Sequence, residues 1–147
     1  MYKHILVPTD GSKLSGEAAA AGVKLARALG ARVTALFAAP PATPIIFKAM
    51  LPVGYATPGG HKAIIDKAAR AYLGAVEKAA RAAGVRCESV SVTSDFPADA
   101  ILETATKRGC DLVFMASHGR RGLKGMLLGS ETQKVLAGAR LPVLVYR

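Results

Sequence analysis

Short apolar runs separated by longer amphipathic stretches set what this chain can fold into. Ile5-Leu6-Val7, Val33 to Ala38, Arg86 to Thr93, Asp111 to Ala116 and Pro142 to Tyr146 each have the length and the bounding residues of a strand. The first is closed by Pro8-Thr9-Asp10-Gly11-Ser12. The third alternates, with Cys87, Ser89, Ser91 and Thr93 on one side and Glu88, Val90 and Val92 on the other. Helical patterns lie between these runs. Lys13 to Leu29 carries a stripe at Ala18, Gly22, Leu25 and Leu29, with Ser12 as N-cap and Gly30 just past the end. His61 to Ala83 carries Ile65, Ala69, Tyr72, Leu73, Val76 and Ala80 on one face, and Gly84 ends it. Pro97 opens a helix that runs to about Lys107 and stops at Gly109, and Glu131 to about Ala139 forms a shorter one. This alternation predicts an α/β fold: a five-stranded, mostly parallel sheet with helices on both faces and right-handed crossovers.

The 147 residues are expected to form one domain over 1–147. A hydrophobic share of 51% against 20% charged excludes a disordered chain, and two cysteines exclude a disulfide scaffold. Cys87 and Cys110 form no C-x-x-C and read as small buried hydrophobes of a reducing cytosol. No run reaches the ~18 apolar residues of a membrane span, and Met1-Tyr2-Lys3-His4 leads into a strand rather than a secretory signal.

Lys and Arg number 20 against 10 Asp and Glu, a formal charge of +10 that raises the question of nucleic acid. The cations are dispersed, and aromatics are not interleaved with them as base stacking requires. Solvated helix faces are the expected reading. One cluster stands apart, Lys107-Arg108 with Arg120, Arg121 and Lys124, beside the glycine-rich stretch described below. Between the second strand and the second helix, Pro40, Pro41, Pro44, Pro52 and Pro58 break regular structure. That stretch, 39–60, also carries Ile45, Ile46, Phe47, Met50, Leu51 and Val53, too apolar for a plain linker. It is expected to fold over a site or cover the next helix.

In parallel sheets ligands sit beyond the carboxyl ends of the strands, at the switch point in strand order. Two turns therefore matter: Asp10-Gly11-Ser12 and the stretch from Ala116 to Ser130. In the second, glycines follow a buried strand, and Gly129 with Ser130 opens a helix. Phosphate binding needs such a place, with backbone uncovered by Cβ and amides free at a helix N-terminus. The Gly129 and Ser130 amides and the Ser130 and Thr132 hydroxyls are expected to face an anion. An ordinary strand-to-helix loop with a capping serine would read the same way. The P-loop, the G-x-G-x-x-G fingerprint, G-x-S-x-G and H-E-x-x-H are all absent. A response-regulator receiver is set aside, since the third run ends Thr93-Ser94-Asp95 without a strong apolar lead and the opening lacks a paired acid.

Over essentially its whole length the chain resembles the universal stress protein family, and within it the ATP-binding branch. The resemblance rests on Ile5-Leu6-Val7-Pro8-Thr9-Asp10-Gly11-Ser12, on Asp111 to Met115, on a G-x2-G-x9-G-[ST] region and on Pro142-Val143-Leu144-Val145. In that region Gly119 is the second glycine and Gly129-Ser130 closes the motif, while Ala116 stands at the first glycine position. Asp95-Phe96-Pro97 departs from the family's Gly-x-Pro. The resemblance implies a Rossmann-like sheet of the adenine nucleotide alpha hydrolase type, binding ATP with Mg²⁺ bridging its phosphates. It implies that Asp10 faces the ribose and that Ala38 offers main-chain atoms to the adenine. Ala116, His118 and Gly119 would run along ribose and phosphates. Gly129, Ser130, Glu131 by its amide, and Thr132 would hold the phosphates. Met115 is expected to pack in the core instead. The resemblance further implies a homodimer through the last strand, Val143 to Tyr146, and a cytoplasmic stress-response regulator.

The residues themselves supply no nucleophile, base and orienting group together, so at most slow ATP hydrolysis is expected. His118 is the one histidine in the candidate site, and no carboxylate in the sequence is evident to orient it. Two alternatives remain open at this level. One is a nucleotide-free structural or interaction dimer whose pocket Ala116 obstructs. The other is a basic nucleic-acid-binding module.

Overall fold

The computed structural model describes residues 1–42, 58–120, 122, 125 and 127–147. The core of the proline-rich stretch, 43–57, and Arg121 and Lys124 of the basic cluster lie outside the described residues. Along the chain run β1 (His4–Pro8), α1 (Lys13–Leu29), β2 (Arg32–Ala39), α2 (Pro58–Ala82), β3 (Cys87–Thr93), α3 (Pro97–Arg108), β4 (Leu112–Ala116), α4 (Ser130–Gly138) and β5 (Val143–Tyr146). The strands form a 5-stranded sheet in the order β3-β2-β1-β4-β5, and every pairing is parallel. The expected five-stranded α/β sheet is present, and among the described residues all four strand pairings are parallel.

Side chains alternate across the sheet and divide the core in two. Ile5, Val7, Val33, Ala35, Phe37, Phe114 and Ala116 pack on one side with Val23 and Ala26 of α1 and Val76 and Ala80 of α2. Leu6, Leu36, Val113 and Met115 pack on the other with Ile101 and Ala105 of α3 and Val135 of α4. The central strand β1 is apolar at Ile5, Leu6 and Val7 because both its faces are covered, as is usual for a parallel sheet. β3 lies at an edge: Cys87 is half-buried on the α2 side and Val90 and Val92 on the α3 side, while Glu88, Ser89 and Ser91 are exposed.

Local signals explain the element ends. The Ser12 hydroxyl accepts the Ser15 amide at 3.2 Å and caps α1. Gly30, in the left-handed region at φ 63, ends it. α2 begins at Pro58, three residues before the expected His61, because a proline fits the first turn of a helix. Asp111 sits just ahead of β4. Its carboxylate accepts the Lys3 and His4 amides at 2.8 and 3.0 Å, tying the start of β4 to the start of β1.

The order places β1 centrally, with β2 and β3 to one side and β4 and β5 to the other. Winding reverses between β1 and β4, so their carboxyl ends diverge around a crevice. The turn after β1 and the glycine-rich loop after β4 meet there.

Candidate functional site

The loop after β4 leaves and returns along one narrow path. The Ser117 amide donates to the Tyr146 carbonyl at 2.7 Å, and the Gly129 amide donates to the Ser117 carbonyl at 2.7 Å. Gly129 is buried, and a Cβ on it would lie 3.1 Å from the His118 Cα and 3.2 Å from its Cβ. Glycine is needed here so that the two arms of the loop can cross. This corrects the expectation for Gly129: its amide is already bonded within the loop, and its missing Cβ faces protein.

α4 opens on the far side of that crossing. Gly129 supplies no capping side chain. The first bond into the helix runs from the Gln133 amide to the Gly129 carbonyl, 3.0 Å. The amides of Ser130, Glu131 and Thr132 precede it, as the first amides of any helix do, and none has an acceptor among the described residues. They carry the positive end of the helix dipole. Ser130 is exposed beside them.

The two side chains that follow are engaged elsewhere. The Thr132 hydroxyl is buried and donates to the Ala116 carbonyl at 3.1 Å, joining α4 to the last residue of β4. The expectation that this hydroxyl faces an anion is therefore corrected, leaving Thr132 its amide. The Glu131 carboxylate accepts the Ala98 amide at the start of α3 (3.0 Å) and pairs with Lys134 at 2.9 Å. A negative group in the first turn is thereby tied down, with its charge partly answered by Lys134.

Asp10 stands across the crevice at the end of β1. One carboxylate oxygen accepts the Ser12 amide and the other the Arg120 amide, each at 2.9 Å. A Cβ on Gly119 would collide with that carboxylate, so the loop glycine and the acid fit each other. Burial pushes the Asp10 carboxyl up, but its bonds from Ser12 and the Arg120 amide outweigh this and hold it below the usual carboxylate value. Asp10 is a fixed, ionised acceptor at neutral pH.

Ala38 is the next-to-last residue of β2, past the level at which β1 ends. β1 pairs with β2 as far as Pro8 against Leu36, and the Thr9 amide makes one more bond, to the Leu36 carbonyl at 2.8 Å. Alternation along a parallel ladder turns the amide and carbonyl of Ala38 the same way as those of Leu36. β1 has ended by that level, and no further bond to Ala38 is made from the β1 side among the described residues.

Ala116 is 8% exposed within the cluster under α1 and α2. Its methyl faces the core, on the opposite side of the sheet from α4, and so does not obstruct the open amides. Met115 packs in the second cluster, as expected. His118 is half-buried, with Nδ1 against the Ser117 hydroxyl at 3.2 Å. Among the described residues no group of three or more His, Cys, Asp or Glu could hold a metal.

One set of contacts at the crevice escapes sequence reasoning. The Arg120 Nε donates to the Asp10 carbonyl at 2.8 Å, and its terminal nitrogen donates to the Tyr72 hydroxyl at 2.6 Å. The guanidinium lies 5.2 Å from the centre of the Tyr72 ring. Tyr72 in turn packs edge-on against Phe37 of β2, at 5.2 Å. Arg120 thus clamps the glycine-rich loop to β1 and α2. Tyr72 is on the apolar stripe of its helix, and no local pattern distinguishes it from a core residue.

The family model "Universal stress protein family" matches residues 1–147. Universal stress protein MJ0531 of Methanocaldococcus jannaschii is 33% identical over 150 residues, covering 100% of this chain and 83% of the relative. The solved structure of MJ0577, from the same organism, superposes with a TM-score of 0.77 at 28% identity, covering 99% of this chain and 95% of that one. A universal stress protein crystallised in complex with cAMP superposes at 0.69 and 26% identity, covering 99% and 97%. The family model spans the whole chain and a relative is one-third identical over this chain's full length, and the chain belongs to the universal stress protein family.

Proposed function

We propose that this protein binds ATP across the crevice, with Mg²⁺ bridging the phosphates, and that occupancy sets its activity as a stress-response regulator in the cytoplasm. The observation that carries this reading is the set of three open amides at the start of α4, opposite the ionised Asp10. Converging amides at a helix N-terminus suit a polyanion, while an ionised carboxylate suits hydroxyl donors such as those of a ribose. The open edge of Ala38 suits a base that both donates and accepts. The phosphates and water would supply the magnesium ligands, as is common for this ion, and no dedicated protein cage is needed. A related family member crystallised with cAMP supports an adenine nucleotide.

The protein would work as a homodimer joined through β5. That strand is paired to β4 on one side only, at the edge of the sheet, and Leu144 on it is 38% exposed. A bare apolar edge favours pairing with a second copy.

Thermal unfolding with and without MgATP tests the reading. ATP at a hundred times its dissociation constant should raise stability by ~2.7 kcal/mol. An unchanged midpoint at millimolar MgATP, with the fold intact, would support a nucleotide-free dimer instead.

A further inference from the structure

We propose a second anion site at the opposite end of the sheet, selective for a run of consecutive phosphates without bases, such as linear inorganic polyphosphate. A groove of ≈ 740 Å³ lies there, and Lys3, Arg27, Arg32 and Arg86 line it against a single carboxylate, Asp111. Parallel topology explains the convergence, because every strand starts at this end. The Arg32 amide bonds to the Lys3 carbonyl at 3.0 Å, and the Val33 amide bonds to the Arg86 carbonyl at 2.9 Å. Arg32 and Arg86 therefore stand side by side on neighbouring strands, which lie ~4.8 Å apart, and Lys3 lies one residue before His4, the register partner of Arg32.

Against these four cations stands one carboxylate among the described lining residues, Asp111. Among the described residues none of these cations is in an ion pair. Each Asp111 oxygen accepts one amide, from Lys3 or His4, and its single negative charge faces four cations. The carboxyl ends of α1, α2 and α3 do point here, and they account for Arg27, which donates to the Ala83 carbonyl at 3.0 Å. They do not account for Arg32 beside Arg86. Continuing the register of Val33 with Cys87 makes those two arginines direct neighbours, and like charges so placed destabilise a sheet unless an anion lies between them.

The lining also selects among anions. Among the described residues no Phe, Tyr or Trp borders the groove, so these residues offer a nucleobase no stacking surface there. Three arginines and a lysine around one groove suit repeated phosphate groups, with arginine able to grip oxygens in pairs.

Calorimetric titration with linear polyphosphate tests this. Replacing Arg32 and Arg86 together by Gln should weaken binding by about tenfold or more and flatten its salt dependence. The same change at Lys67 and Arg70, exposed on α2 away from the groove, should weaken it less than about twofold. Both doubles alter exposed or half-exposed side chains, and unchanged thermal midpoints will show that folding is intact. Equal losses in the two doubles would overturn the site in favour of diffuse charge. Tighter binding of oligo(dT) than of polyphosphate, lost with Arg32 and Arg86, would overturn the base-free selectivity in favour of a nucleic-acid backbone.

Discussion

The Asp10 carboxylate accepts the Arg120 amide at 2.9 Å, and the Arg120 Nε returns a bond to the Asp10 carbonyl at 2.8 Å. This reciprocal pair joins the end of β1 to the glycine-rich loop. It makes the acid expected to face a ribose also a structural part of the loop that leads into α4.

That dual role has a pH signature. The folded-state carboxyl of Asp10 lies below its ordinary value. A depressed carboxyl contributes stability above its unfolded pKa, ~3.9, and that stability is lost as pH falls through the folded value. Asp10→Asn should therefore cost about 1–3 kcal/mol at neutral pH, the range for disturbing hydrogen bonds to a charged group. The gap from the parent protein should narrow steadily below about pH 4. Urea unfolding at several pH values measures it, and a gap that stays constant with pH would show that Asp10 is not an ionised acceptor in the folded protein.

Gly129 is a packing position before it is a ligand position. Valine there would press on His118 and the Ser117 carbonyl, both within 3.4 Å of its Cβ. Gly129→Val should lower stability by about 1–3 kcal/mol. The loss should appear in denaturant unfolding even without nucleotide, so weakened ATP binding by this variant does not isolate a phosphate contact.

Ala116 makes the opposite case. Its methyl fills the cluster beneath α1 and α2 and is remote from the open amides. Ala116→Gly should cost about 0.5–1 kcal/mol of stability through backbone entropy and lost packing. Nucleotide affinity should stay within about twofold, well under one hydrogen bond's worth. A large gain in affinity, read by titration calorimetry, would mean that the methyl obstructs the ligand after all.

Period and punctuation made the sheet legible. Val33 to Ala38 and Asp111 to Ala116 are too short and too apolar to be anything but buried strands once Gly30 and Gly109 have ended the helices before β2 and β4. The crevice followed from the same alternation. Within it, sequence spacing placed Ser130, Glu131 and Thr132 together at a helix start, but spacing is silent on which of their groups are free. The Thr132 hydroxyl turns to Ala116 because α4 packs across β4, and Glu131 reaches Ala98 because α3 ends up beside it. Arg120 and Tyr72 are 48 positions apart. Only the packing of α2 over β2 brings them together, and no periodicity in either segment records that.

The most direct test of the nucleotide reading removes one amide and keeps the helix. Ser130 is the first residue of α4, a position that proline tolerates. Gly129 before it is already extended, at φ −68 and ψ 158, as a residue preceding proline must be. Ser130→Pro should weaken MgATP binding by about tenfold or more, the scale of one charge-assisted hydrogen bond. Adenosine, which has no phosphate, should bind both proteins alike, and Ser130→Ala should match the parent closely enough to clear the hydroxyl. Equal MgATP affinity for Ser130→Pro and the parent, with α4 still formed, would contradict the claim that the amides opening this helix hold the phosphates.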